Sequence, residues 1–296
     1  MGGKSRQRRV RIHACVRAHR SGSTALLDLL NQRDDVQCTG TVDLSRVVMA
    51  FQEIDRGYSG TAGWTSNPLQ AQQSGIRAMR GMVEGFFLDD PDATIIMKDA
   101  GWGLLGREFH NLWPDGHIIV CVRDVRDILA SIAERDEVAD LSHPYPSEVR
   151  TLAERLAFHL SPGQPVAESL RAVVALGDTS PEWAHLMIYE RWMKDPRRYV
   201  DALTDALGLP PFDYDVDACP YTSTDVDALT RFRFPHRPTP EEAAVEQADH
   251  RRIGPPRRGT WRNVAGLPQI MPDLMRLPIV AQYHHFYSRV VDLAAD

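Results

Sequence analysis

The sequence predicts an α/β fold, with a mostly parallel central sheet and helices on both of its faces. Three observations predict it. Short runs rich in β-branched residues end before a helix could complete three turns, as buried strands do. Longer stretches with helical spacing of apolar residues lie between them. The two kinds alternate along the chain, and strands joined through crossover helices pair in parallel and are covered on both faces.

The strands are Val10–Val16 (VRIHACV), Thr94–Met97 (TIIM), His117–Val122 (HIIVCV) and His185–Tyr189 (HLMIY), with Val36–Cys38 as a fifth. The clearest helices are Ala25–Asn31, Asp43–Arg56, Leu69–Leu88, Val125–Glu134 and Pro196–Leu207. The last stops at Gly208 with Pro210 beyond it, a common helix terminus. Residues Ser161–Pro165 are rich in Pro, and Asp213–Pro256 in Pro, Asp and Thr. They predict lid-like excursions from the sheet, one near 138–176 and one near 213–256. Pro268–Leu293 returns to helix, with Tyr283, Phe286 and Tyr287 packing on the core. Residues 1–9 form a solvated basic tail, and residues 10–296 a single α/β domain.

Composition narrows the function. The chain of 296 residues is 43% hydrophobic and 25% charged, which excludes a disordered chain. No apolar run approaches the roughly 20 residues needed to span a bilayer. The net charge of −6 disfavours an extended nucleic-acid surface. The N-terminus has no apolar segment after its basic residues, so no export signal is expected. Cys15, Cys38, Cys121 and Cys219 are scattered without metal-ligand spacing, which points to a reducing, cytoplasmic setting. His284 and His285 are neighbours on a helix and cannot meet a metal from one face.

In a parallel sheet of this kind, ligands bind beyond the carboxyl ends of the strands. After the first strand comes His19-Arg20-Ser21-Gly22-Ser23-Thr24 and then an apolar helix. A glycine turn feeding a helix N-terminus makes an anion cradle, because backbone N–H groups and the helix dipole converge there. Ser23 and Thr24 add hydroxyl donors, and Arg20 adds charge. Aligned on Gly22 with the nucleotide loop G-x-x-x-x-G-K-[ST], the chain has Arg17 in place of the first Gly and Ser23 in place of the Lys. Loss of that Lys disfavours an ATP-dependent phosphotransferase. An ordinary N-cap at Ser21 or Ser23 is the bland alternative.

Further elements follow in order. Arg123-Asp124-Val125-Arg126-Asp127 succeeds the His117–Val122 strand, with Ser131 eight residues after Arg123. Then come Tyr189-Glu190, Asp195-Pro196, LGLP and finally Arg257-Arg258-Gly259-Thr260-Trp261-Arg262-Asn263. Taken together, from about Arg11 to Asn263, the chain resembles the sulfotransferases that use 3′-phosphoadenosine 5′-phosphosulfate (PAPS). It is closer to the protein-tyrosine and bacterial branches than to the cytosolic branch with its Lys-Thr-His element. The resemblance implies a P-loop-NTPase-like architecture and sulfuryl transfer from PAPS to a hydroxyl or amine of a small-molecule acceptor. The product is 3′-phosphoadenosine 5′-phosphate (PAP), and no metal is required.

The resemblance also implies roles. Arg20, Ser21, Gly22, Ser23 and Thr24 hold the phosphosulfate. Arg123 and Ser131 grip the 3′-phosphate, Tyr189 contacts adenine, and Arg257, Arg258 and Gly259 close on the nucleotide. Two departures stand out. Ala25 occupies the place where many members carry an adenine-stacking aromatic, so another ring must stack. Lys98-Asp99 ends the third strand with no His.

Arg20 and Lys98 are the donors expected at the charge that builds during transfer. Asp43 is the expected base, or equally a helix N-cap, with Asp99 second and Glu53 and His110 behind. A phosphotransferase and a non-catalytic nucleotide-binding protein are the rival readings. Composition does not reveal the oligomeric state.

Overall fold

The structure, a computed structural model, describes residues 11–59, 68–87, 94–138, 145–146, 148–179, 181–216 and 261–293. Five strands form one sheet: β1 (Arg11–Arg17), β2 (Val36–Thr41), β3 (Thr94–Lys98), β4 (Ile118–Val122) and β5 (Ala184–Ile188). Their order is β2-β3-β1-β4-β5, and every pairing is parallel. The expected α/β class with a parallel sheet is what forms.

Alternation along each strand sorts the core into two layers. Ile12, Ala14 and Val16 of β1, with Ile118, Val120 and Val122 of β4, face one layer. Cys15, Ile96, Ile119 and Cys121 face the other. The second layer is closed by α1 (Ser23–Leu30) and α9 (Pro196–Ala206). The first is closed by α2 (Leu44–Ser59), α3 (Pro68–Gly85), α4 (Gly106–Leu112), α5 (Val125–Val138), α6 (Leu152–His159), α7 (Pro165–Thr179), α10 (Leu267–Met275) and α11 (Pro278–Leu293). A single turn, α8 (Tyr189–Trp192), follows β5. Trp102, Phe109 and Trp113 meet edge-to-face or tilted in the first layer, and Trp102 and Phe109 are fully buried.

Several expectations need correction. The stretch near 138–176 is an excursion only in part: most of α7 lies inside it, with Val166, Leu170, Val173 and Leu176 buried in the core. Gly103, in the short 3-10 turn Ala100–Gly103, has the Ala172 carbonyl of α7 where a Cβ would stand, so turn and helix approach backbone to backbone. The C-terminal helix is two helices, because Pro278 cannot continue the hydrogen-bond ladder of α10 and instead starts α11. Tyr189 begins α8 rather than ending β5. The basic tail and residues 217–256 lie outside the described residues. Among the described residues, no helix is long and apolar enough to cross a membrane.

Candidate active site

The carboxyl ends of β1, β3, β4 and β5 converge on the loop between β1 and α1. Gly22 has φ 80 and is the N-cap of α1, which has no side-chain cap, so the positive end of the helix dipole is presented at the loop. A Cβ on Gly22 would stand 2.6 Å from the Tyr189 ring and 2.9 Å from Trp192, so glycine is required twice over. Arg20 has φ 60, a left-handed conformation that costs a non-glycine residue about 1–2 kcal/mol. Ser21 donates to the Ala18 carbonyl at 2.6 Å and secures the turn.

Three cations gather here. Lys98, at the end of β3 and 2% exposed, donates from Nζ to Thr24 Oγ1 at 2.8 Å. Arg20 donates from Nε to Ser131 Oγ at 3.0 Å, which joins the loop to α5. Arg123, at the end of β4, donates from Nη1 to the Arg20 carbonyl at 2.9 Å and lies 4.3 Å from the centre of the Tyr189 ring. Arg123 is 5% exposed, its Nε has no hydrogen-bond partner, and it makes no ion pair among the described residues. A buried cation without a counter-charge is costly, and one cation–π contact of about 0.5–2 kcal/mol does not offset that cost. Such a cation could hold an anion.

The backbone at Arg123 is fixed by a residue the sequence did not flag as functional. Tyr283 of α11 donates its hydroxyl to the Arg123 carbonyl at 3.0 Å and accepts from the Arg123 N–H at 3.1 Å. Burial raises the pKa of this phenol, which keeps it a neutral donor. Glu190 accepts from the Asp124 N–H at 2.9 Å and caps the start of α5. The backbone N–H of Trp261 donates to Asp127 Oδ1 at 3.0 Å, which pins this part of the chain beside α5. Arg257, Arg258 and Gly259 themselves lie outside the described residues.

The structure therefore brings Arg20, Ser21, Gly22, Ser23, Thr24, Lys98, Arg123, Ser131 and Tyr189 to one place. The carboxylates stand differently. Asp43 precedes α2 with its side chain 68% exposed, 3.9 Å from Arg46. Asp99 is buried and accepts from the Ser45 N–H and hydroxyl, both at 2.8 Å, and from the Gly101 N–H at 2.9 Å. Burial pushes its pKa up to about 6, against these three hydrogen bonds, which pull it down. Glu53 is exposed, and His110 stacks on Trp183. Sequence reasoning missed His19, Ser169, Arg17, Thr41 and Trp192. His19 is tied to Ser169, 150 positions away, and Arg17 donates to Thr41 at 3.1 Å. Only the position of His19 next to Arg20 could have signalled any of these.

Comparison with known proteins places the chain in a family and a fold. Residues 15–214 match the model of the sulfotransferase family. A search of curated proteins finds no match. Among solved structures, mouse sulfotransferase SULT7A1 complexed with PAP is 15% identical, with 95% of this chain and 89% of that chain covered at a TM-score of 0.52. It shares the fold. The sulfotransferase domain from the Synechococcus PCC 7002 olefin synthase is 17% identical over 97% of this chain and 98% of that one, at a TM-score of 0.48. A sulfotransferase from Alicyclobacillus acidocaldarius is 16% identical over 70% and 85%, at a TM-score of 0.44.

Proposed function

The chain belongs to the sulfotransferase family, and from that premise we propose that it moves a sulfuryl group from PAPS to a hydroxyl or amine of a small-molecule acceptor in the cytoplasm. The observation that carries the choice of donor is Arg123, a buried guanidinium with an aromatic face beneath it and, among the described residues, an unpartnered Nε and no carboxylate partner. A donor with phosphates at both the 3′ and 5′ positions supplies the missing negative charge. Arg123 and Ser131 take the 3′-phosphate, while Gly22, Ser23, Thr24 and the start of α1 take the 5′-phosphosulfate.

Tyr189 contributes to adenine binding. Ala25 stands where many relatives carry an aromatic. Arg257, Arg258 and Gly259, which precede Trp261 in the sequence, contact the nucleotide in this reading.

Sulfuryl transfer needs positioning and charge stabilisation more than covalent chemistry. Arg20 and Lys98 are the groups of this chain that stabilise the developing charge, Arg20 toward the leaving phosphate oxygen and Lys98 toward the sulfuryl oxygens. Lys98 is buried, where low polarity strengthens its field.

Calorimetric titration with PAP tests the proposal. Wild-type protein binds PAP, and Arg123→Ala binds it about 100-fold more weakly, as expected when a buried charge pair loses one partner. Arg20→Ala keeps most of the affinity but loses turnover of PAPS. Equal PAP affinity in wild type and Arg123→Ala would refute the assignment.

A further inference from the structure

Tyr283, Phe286 and Tyr287 of α11 stand at helical spacing and share one face. All three are buried. Phe286 packs against α7, where its ring fills the space that a Cβ on Gly177 would need. Arg191 of α8 donates to the Val291 carbonyl at 2.9 Å and ties down the same helix further along. Packing accounts for Phe286. It does not account for the hydroxyl of Tyr283, which is 0% exposed and, so buried, needs a partner within the protein.

That hydroxyl meets both main-chain groups of one residue. It donates to the Arg123 carbonyl at 3.0 Å and accepts from the Arg123 N–H at 3.1 Å. Arg123 links two elements: β4 ends at Val122, and α5 starts at Val125. The sheet holds the chain as far as Val122, which pairs with Ile188. The Asp124 carbonyl accepts from the Ile128 N–H at 3.0 Å and already belongs to the helix. The main-chain groups of Arg123 fall between strand and helix and go to the phenol. A hydroxyl donates and accepts at one atom. Phenylalanine does neither, and it would leave both buried groups unmade.

The direction of this peptide sets where the Arg123 side chain begins. Its far end is placed by the Arg20 carbonyl at 2.9 Å from Nη1 and by the Tyr189 ring, whose centre is 4.3 Å away. The guanidinium is therefore held at both ends. Its planar fork grips a phosphate through aligned N–H groups, and such alignment tolerates only about 0.5 Å of displacement.

We propose that Tyr283 is a positioning residue that gives the site its preference for a 3′-phosphorylated nucleotide over adenosine 5′-phosphate, by fixing the peptide from which Arg123 extends. The assignment rests on the reading of Arg123 as the 3′-phosphate ligand. Tyr283 acts through Arg123.

Calorimetric titration of the full-length protein with PAP and with adenosine 5′-phosphate tests this in wild type, Tyr283→Phe, Arg123→Ala and the double variant. The wild type prefers PAP. In Tyr283→Phe the preference falls about tenfold, the size of one charge-assisted hydrogen bond, while affinity for adenosine 5′-phosphate stays within about twofold. A residue that only stabilised the fold would change the fraction of folded protein, which affects both nucleotides alike and leaves their ratio unchanged. In the double variant the ratio equals that of Arg123→Ala, because Tyr283 has no side chain left to position. A wild-type ratio in Tyr283→Phe, or a double variant whose ratio drops below that of Arg123→Ala, overturns the proposal. Hydrogen exchange of the wild type needs no variant to fold. The Arg123 amide should exchange about 100-fold slower than an unstructured peptide, or slower still, and an unprotected amide also overturns the proposal. If the wild type does not prefer PAP, or Arg123→Ala keeps the preference, the 3′-phosphate reading itself fails and the proposal falls with it. Arg123→Ala thus tells the two failures apart.

Discussion

Gly22 occupies the most demanding position in the site. Its φ of 80 strains any other residue, and the Tyr189 ring fills the space a Cβ would need. Tyr189 cannot retreat, because Arg123 lies on its face and Arg123 is held by the Arg20 carbonyl. Gly22→Ala should therefore cost about 1–3 kcal/mol of stability from backbone strain, and it should also push Tyr189 against Arg123. Urea unfolding and PAP titration of the same variant check both effects. A variant that loses stability but binds PAP normally would mean that the loop relaxes away from Tyr189. At this scale the sequence was informative where chemistry is local: glycine, hydroxyls and a helix start stand in one run of residues. It was silent where a contact joins distant positions. Nothing at Ser169 announces its bond to His19, and nothing at Thr41 announces Arg17.

Elements show the same division for a different reason. All five strands were legible, because a buried parallel strand is a short β-branched run bounded by turns or charges. Helix α7 was not. Its buried set, Val166, Ala167, Ser169, Leu170, Ala172, Val173, Val174, Leu176 and Gly177, wraps too much of the helix for a one-sided apolar stripe. The residues before it, Ser161–Pro165, look like loop. The opposite end of the sheet holds a cluster that titrates. His13 of β1 accepts from the His117 N–H at 3.1 Å, and the His117 and His185 rings stack with Nδ1 and Nε2 2.7 Å apart. Burial, followed by the charges of His117, Arg11 and His185, depresses the His13 pKa to about 3. His117 and His185 are also depressed, chiefly by burial. A histidine kept neutral in the fold binds its proton in the unfolded chain, so stability is retained above pH 6.5 and declines as pH falls toward 3. Replacing His13 with Asn, whose side-chain oxygen can still accept from His117, should reduce the slope of unfolding free energy between pH 6 and 5. The reduction is about 1.4 kcal/mol per pH unit for one proton. Asp99 titrates in the opposite sense in this window, but it is common to both proteins and cancels. Equal slopes would show that His13 protonates without unfolding.

At the scale of the whole molecule, the anion site is assembled from parts that fold against different layers. Helix α1 belongs to one layer, α5, α7 and α11 belong to the other, and Arg123 is tied to the loop through the Arg20 carbonyl and to α11 through Tyr283. Lys98 and Arg123 are buried at the carboxyl edge, and the desolvation of a cation is a cost that an anionic ligand offsets. A ligand that binds only the folded chain stabilises it by mass action, about 2.7 kcal/mol at 100 times its Kd. For a protein of this size, 1 kcal/mol moves Tm by roughly 2–4 °C, so PAP at that concentration should raise Tm by about 5–10 °C. Adenosine 5′-phosphate lacks the 3′-phosphate that Arg123 and Ser131 are proposed to grip, and it should give a much smaller shift at the same concentration. In Arg123→Ala the two nucleotides should become alike, because the 3′-phosphate has lost its buried partner. Scanning calorimetry of both proteins with both nucleotides gives four shifts. If PAP and adenosine 5′-phosphate stabilise the wild type equally, Arg123 serves some other anion, and the pairing of Arg123 with Ser131 around a 3′-phosphate is wrong even if the loop binds phosphate.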